Sequence, residues 1–209
     1  MKYEILRELS KSVEITGMRP RDVVNFLNLH GHQKTARHSG RVALEAKKIA
    51  LRFDENQEAA FEAGWLHDIS AIVPNEQRIT VAKALGINPL HEEEVFPLII
   101  HQRISQVMAQ EIFGVTDQVV LSAIGCHTTL KKDASRLDKV VFVADKIRWD
   151  QDGDPPYLQE LILALDVSLD DAAFCYLNFL WNRRGQLKII HPWFSEAYQQ
   201  LLQRDKHGK

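Results

Sequence analysis

Apolar residues recur every three or four positions through most of the chain, a period that commits it to amphipathic helices. Five of the resulting stripes also carry an ionisable residue in line with the apolar ones. After Ala36 one stripe runs His38, Val42, Ala46, Ile49 and Phe53. The next runs Ala60, Ala63 or Gly64, then His67, with Asp68 beside it in "AGWLHDIS". A third reads His101, Ile104, Met108, Ile112, a fourth Val120, Ile124, His127, and a fifth takes Leu137 and Val141 on to Asp145. Five predicted helices thus each aim a polar group at the interior.

An unpaired carboxylate or imidazole in an apolar interior costs on the order of several kcal/mol, while a whole domain is stable by only about 5–15 kcal/mol. Any one of these histidines alone reads as a core residue bonded to a carbonyl. Four histidines and two aspartates together do not, because their combined burial would consume that stability. Convergence on cations reverses the cost, since ligands and ions compensate one another. A mixed imidazole and carboxylate shell suits iron, manganese, cobalt or zinc. The expected metal ligands are His38, His67, Asp68, His101, His127 and Asp145.

Strand signals are nearly absent. Val140-Val-Phe-Val143 is the one β-branched apolar run and, leading into ADKI, it suits a buried helix as well as a strand. Asp54 and Gln57 resemble a capping pair for a helix reaching about Leu66, and Pro20 and Pro192 suit first turns. Gly86 and Gly114 stand where helices over roughly 76–85 and 102–113 would end. The expectation is an all-α protein of about nine or ten helices. Loops at 70–75 and 87–97 hold three prolines and bracket a short helix, a candidate pocket wall. DQDGDPP at 150–156 reads as a solvated acidic turn, and His30, His32, His91, His191 and His207 are expected at surface or capping positions.

With 45% hydrophobic and 26% charged residues, the 209-residue chain can bury a core, and no apolar run is long enough to span a bilayer. A formal net charge of −2 offers no general field for nucleic acid. MKYEILRELSKSVEITG lacks the apolar centre of a signal peptide, so the expected location is the cytoplasm. Cys126 and Cys175 are far apart in sequence and are read as reduced thiols. Phe179, Trp181, Trp193 and Phe194 would serve either a homodimer surface or core packing, and core packing is the expectation.

The ordered set His38, His67-Asp68, His101, His127, Asp145 resembles the HD-domain metal-dependent phosphohydrolases. "RHSGRVALEAKKIA", "AGWLHDIS", "SAIGCHTT" and "LDKVVFVADKI" resemble the YqeK-type branch, the bacterial symmetrical diadenosine tetraphosphate hydrolases, over residues from about 20 to about 203. The resemblance implies a single HD-domain helical bundle at 18–205, with residues 1–17 an added N-terminal helical extension. It implies a di-iron centre with His38, His67, Asp68 and Asp145 on one ion and His101 and His127 on the second. Asp68 would bridge both ions as the central catalytic group. The implied reaction is attack of a hydroxide held between the ions on an inner phosphorus, releasing two ADP. Thr128, Thr129, Lys146 and Arg148, with Lys131 and Lys132, are candidate contacts to substrate phosphates.

Three places depart from that branch. Ala71 stands where it usually has lysine, Leu130 where it commonly has glycine, and Arg148-Trp149-Asp150-Gln151 where it tends to show Glu-Pro and then Arg. The competing expectations are a divergent HD phosphohydrolase acting on another nucleotide or phosphate ester, and a catalytically weak metal- or nucleotide-binding sensor.

Overall fold

The computed structural model describes residues 2–151 and 153–207, apart from the side chains of 205–207. The described residues form twelve α-helices, three short 3₁₀ turns and no strand. In chain order the helices are α1 (Glu4–Ser10), α2 (Arg19–Leu29), α3 (Gln33–Arg52), α4 (Gln57–Leu66), α5 (Arg78–Ala84) and α6 (His91–Val95). They continue as α7 (His101–Glu111), α8 (Gln118–Cys126), α9 (Arg136–Ile147), α10 (Leu158–Val167), α11 (Leu169–Trp181) and α12 (Pro192–His207). The all-α expectation holds. The count exceeds it because a helix as short as the five-residue α6 spans little more than a turn and leaves almost no periodic signal.

The β-branched run lies inside α9. Leu137, Val140, Val141, Phe142, Val143 and Ala144 are all buried, so this helix is apolar nearly all round and occupies the middle of the fold. A capping box starts it: Ser135 Oγ accepts from the Asp138 N–H at 3.1 Å and Asp138 Oδ2 accepts from the Ser135 N–H at 2.8 Å. α3, α4 and α8 pack against α9 on one side, and the α10–α11 pair on the other, with α12 on α11. α3 and α4 approach closely through small residues. A Cβ on Gly64 would lie 2.5 Å from the Ala43 Cα.

Two helix ends match the sequence reading. Gly86 and Gly114 follow α5 and α7 with φ of 74° and 68°, a left-handed backbone that glycine adopts without a Cβ clash. The start of α4 does not match. Its cap is Asn56, whose Oδ1 accepts from Glu58 N at 3.1 Å and Ala59 N at 3.0 Å, whereas Asp54 occupies the preceding turn with φ 55°. Residues at N-cap and two before it are the same chemical type here, so spacing alone chose the wrong one.

Within residues 1–17, α1 places Leu6 fully in the same hydrophobic core. Asp22 on α2 then gathers the loop between them, accepting from Thr16 Oγ1 at 2.7 Å, Thr16 N at 3.0 Å and Gly17 N at 2.9 Å. The C-terminal aromatics pack within the chain: Trp181 stacks on Tyr198 at 4.4 Å, and Phe179 meets Tyr157 at 5.1 Å. Cys126 and Cys175 are free thiols. His191 is not at the surface. It is buried, accepts the Trp193 N–H on Nδ1, and lies 3.6 Å from Glu93, which closes α6 onto the start of α12. His207's side chain and Asp152 of the acidic turn lie outside the described residues. None of the helices is long and apolar enough to cross a membrane, among the residues described.

Candidate metal centre

Five helices deliver six side chains to one place. His38 comes from α3, His67 from the C-terminal cap of α4 with Asp68 next to it, His101 from the first position of α7, His127 from the C-terminal cap of α8 and Asp145 from the last turn of α9. Three of the four histidines are therefore at helix ends, and His67 and His127 are nonetheless buried. At each of these ends Nδ1 donates to the carbonyl three residues back: His67 to Gly64 at 2.8 Å, His101 to Leu98 at 2.7 Å, His127 to Ile124 at 2.8 Å. A carbonyl only accepts, so Nδ1 carries a proton and Nε2 is the nitrogen turned inward, free to bind a proton or a cation.

Those inward nitrogens meet in pairs. His38 and His67 Nε2 are 3.2 Å apart, and His101 and His127 Nε2 are 3.0 Å apart. Lone pairs at this distance repel unless a proton or a cation lies between them. The carboxylates join both pairs. Asp145 Oδ1 is 3.1 Å from His38 Nε2 and 3.6 Å from His67 Nε2. Asp68 divides its oxygens: Oδ2 is 3.5 Å from His67 and 3.9 Å from His38, while Oδ1 is 3.2 Å from His101 and 3.5 Å from His127. Tetrahedral ligands bound at about 2.1 Å stand about 3.4 Å from one another. The groups His38–His67–Asp145 and His67–Asp68–His127 fit that spacing and can each hold an ion.

The charges follow the same arrangement. Burial works against the Asp68 carboxylate, yet His67, His101 and His127 together hold its pKa well below the usual range. Asp145 is likewise held well below, burial being outweighed by Lys146, His38 and His67. Burial disfavours protonating His67 as well, but Asp68 and Asp145 raise it to about 9. Burial, with His67 and His101 alongside, pushes His127 down to about 4. The centre thus keeps two anionic carboxylates, and the proton they hold on His67 Nε2 occupies a place that a cation would otherwise take.

A cavity of about 340 Å³ opens over these donors and is lined also by Thr35, Ala71, Arg78, Leu98, Trp149 and Tyr176. Of the candidate substrate contacts, Thr128 lies in it, with Oγ1 3.2 Å from His101 Nε2. Lys146 also lines it, but its ammonium is 2.6 Å from Asp145 Oδ2 and donates to the His127 carbonyl at 3.3 Å. Lys146 therefore braces two of the metal-type donors. Thr129 is buried with its hydroxyl on the Leu130 carbonyl, and Lys131 bonds Ser122 at 2.6 Å. Lys132 is exposed. Arg148 turns away to Glu45 on α3. A cationic residue following the last ligand reads from sequence as a phosphate contact; here the end of α9 sends that side chain to a carboxylate of the neighbouring helix.

Two residues that sequence reasoning passed over matter to the site. Gln102 is buried, accepts from Thr128 N at 3.0 Å and Thr129 N at 3.3 Å, and donates to Thr129 Oγ1 at 3.0 Å, pinning the turn after His127. Arg78 lines the cavity although it opens a short helix, where an arginine reads as surface. The turn ends at Leu130, whose φ of 56° is left-handed. Glycine suits that conformation at no steric cost; the leucine here offsets a penalty of roughly 1–2 kcal/mol by burying its side chain.

Residues 35–150 match the family described as HD domain. The chain belongs to the HD-domain family. An HD-domain hydrolase of this kind has relatives at several distances. It is 47% identical over 158 residues, 76% of this chain and 79% of the relative, to an uncharacterised protein of Lactococcus lactis subsp. cremoris. It is 30% identical over 110 residues to a symmetrical bis(5′-nucleosyl)-tetraphosphatase of Bacillus subtilis, covering 53% of this chain and 59% of that enzyme. A crystal structure of a predicted HD superfamily hydrolase involved in NAD metabolism from Clostridium acetobutylicum superposes with a TM-score of 0.80 at 26% identity, over 88% of this chain and 97% of that one.

Proposed function

We propose that this HD-domain protein hydrolyses diadenosine tetraphosphate, or a close dinucleoside polyphosphate, symmetrically. The observation that carries the reading is Asp68, whose two oxygens face two different histidine groups. His38, His67, Asp68 and Asp145 would hold one ion, and His101, His127 and the other oxygen of Asp68 the second; iron is the expected metal. Ions bound there would lower the pKa of a water between them and neutralise charge on phosphoryl oxygens.

The chain's own residues supply the rest. The three carbonyls that accept from Nδ1 fix the tautomers, so the Nε2 lone pairs stay directed at the site without rearrangement. Lys146 keeps Asp145 ionised and oriented. Thr128 offers a hydroxyl beside His101 for a phosphate oxygen. The length of the substrate is favoured by the surroundings. The central cavity adjoins a larger groove of about 1000 Å³ carrying Lys34, Arg37, Arg41 and Trp65, and on the other side an apolar recess of about 250 Å³ bounded by Phe96, Leu180 and Phe194. Two nucleosides separated by a phosphate chain need room on both sides of the reacting phosphorus.

The test is to measure bound metal and then product release from diadenosine tetraphosphate, ATP and p-nitrophenyl phosphate. The reading predicts ADP as the only nucleotide product from the tetraphosphate, lost in Asp68→Asn. Turnover of ATP or the simple ester alone would favour the divergent phosphohydrolase, and a metal-loaded protein inert to all three would sink the enzymatic reading.

A further inference from the structure

Arg78 is 8% exposed, and burying a guanidinium is costly unless an anion answers it. Its Nε donates to the Val73 carbonyl at 3.3 Å and its Nη1 to the Leu98 carbonyl at 2.9 Å. Nη2 has no protein acceptor among the described residues, and no carboxylate there lies within ion-pairing distance of the side chain. The residue lines the same cavity as Asp68, His101 and Thr128, and Ala71, which also lines it, contributes no charge. Burial lowers its pKa and Asp68 raises it again, and a guanidinium stays protonated through such changes.

From this geometry we infer that Arg78 forms an anion subsite, its free Nη2 donating to a phosphate oxygen of the substrate next to the metal-type donors. The two carbonyl bonds hold the guanidinium in one orientation before any ligand arrives, so little side-chain entropy is lost on binding. They come from two separate segments, the residue after the Ile69–Ile72 turn and the loop before α7. Thr128 and Arg78 would then grip the phosphates from two sides. The inference rests on the phosphohydrolase reading but not on the tetraphosphate, because any phosphate chain lying over the donors would meet Arg78.

Inorganic pyrophosphate, which has no base, is the probe. Its binding is measured by titration calorimetry on the manganese-loaded chain, with melting temperature recorded for each variant. Arg78→Gln keeps an amide able to donate to a carbonyl and removes the charge; we expect pyrophosphate to bind about tenfold or more weakly, as loss of a charged hydrogen bond implies. Arg78→Lys keeps the charge and loses the fork, so it should bind within about threefold of wild type while melting lower. Ala71→Lys added to Arg78→Gln should recover part of the affinity by returning a cation to the same cavity. The inference is overturned if Arg78→Gln binds pyrophosphate as wild type does, if the wild type does not bind it at all, or, should Arg78→Gln not fold, if the uncharged Arg78→Met binds it as wild type does. Diadenosine tetraphosphate turnover is scored separately, so absence of that activity with normal pyrophosphate binding would count against the substrate alone.

Discussion

The closest helix contact in the site's scaffold makes a sharp prediction for Gly64→Ala. The added Cβ would stand 2.5 Å from the Ala43 Cα and 2.8 Å from its N, where carbon atoms settle at about 3.5–4.0 Å. Both contacts are to backbone, so no side chain can turn aside and α3 and α4 must part by about 1 Å. Overpacking of this kind costs about 1–3 kcal/mol, and a contact this short belongs at the upper end. Alanine returns about 1 kcal/mol of helix propensity. The net loss of about 2 kcal/mol should lower the melting temperature by roughly 4–8 °C for a chain of this size. The same movement separates His38 from His67, whose Nε2 atoms are 3.2 Å apart, so metal content after reconstitution should fall with stability. Gly40→Ala is the control. There the Cβ would meet the outer ring of half-buried Trp65 at 2.8 Å, and an indole can swing. Thermal melts and plasma mass spectrometry of bound metal decide the matter. If Gly64→Ala melts within a degree of wild type with full metal content, the reasoning is refuted.

Asp68→Asn should bind fewer ions per chain than wild type and lose more than the roughly 10–100-fold that removal of a supporting group costs, measured as metal stoichiometry and turnover. Gln102→Leu strands the N–H groups of Thr128 and Thr129 and should destabilise by about 2–3 kcal/mol in urea unfolding, with Gln102→Glu retaining more of the stability because its carboxylate still accepts both. Asp22→Ala removes three hydrogen bonds to the 16–17 loop and should cost about 1–3 kcal/mol. Although burial opposes it, bonding to Thr16 and Gly17 holds the Asp22 pKa below its usual value, so its charge-dependent stability is present above about pH 4 and is lost as pH falls through the native pKa; the difference between wild type and Asp22→Ala should narrow there. Leu130→Gly relaxes a left-handed backbone by about 1 kcal/mol but empties a buried position worth about 2–5 kcal/mol, so chemical denaturation should show a net loss.

Sequence alone carried the helical architecture and the six donors. His38 and Asp145 interrupt stripes that are otherwise apolar over several turns, and a period of three and four is enough to place such residues on an inward face. The same period put His67, His101 and His127 on buried lines, but it could not tell that they stand at helix ends, where the carbonyl three residues back orients each ring. Which oxygen of Asp68 serves which histidines also lies beyond any periodicity, because it depends on how α4, α7 and α8 are placed side by side. The charged residues around the site were the least legible. Arg148 and Arg78 look alike in the sequence, each at a helix end with an isoleucine beside it. Only the packed fold sends Arg148 out to Glu45 and draws Arg78 in over Asp68, since a long flexible side chain takes its partner from whatever the tertiary structure brings within reach.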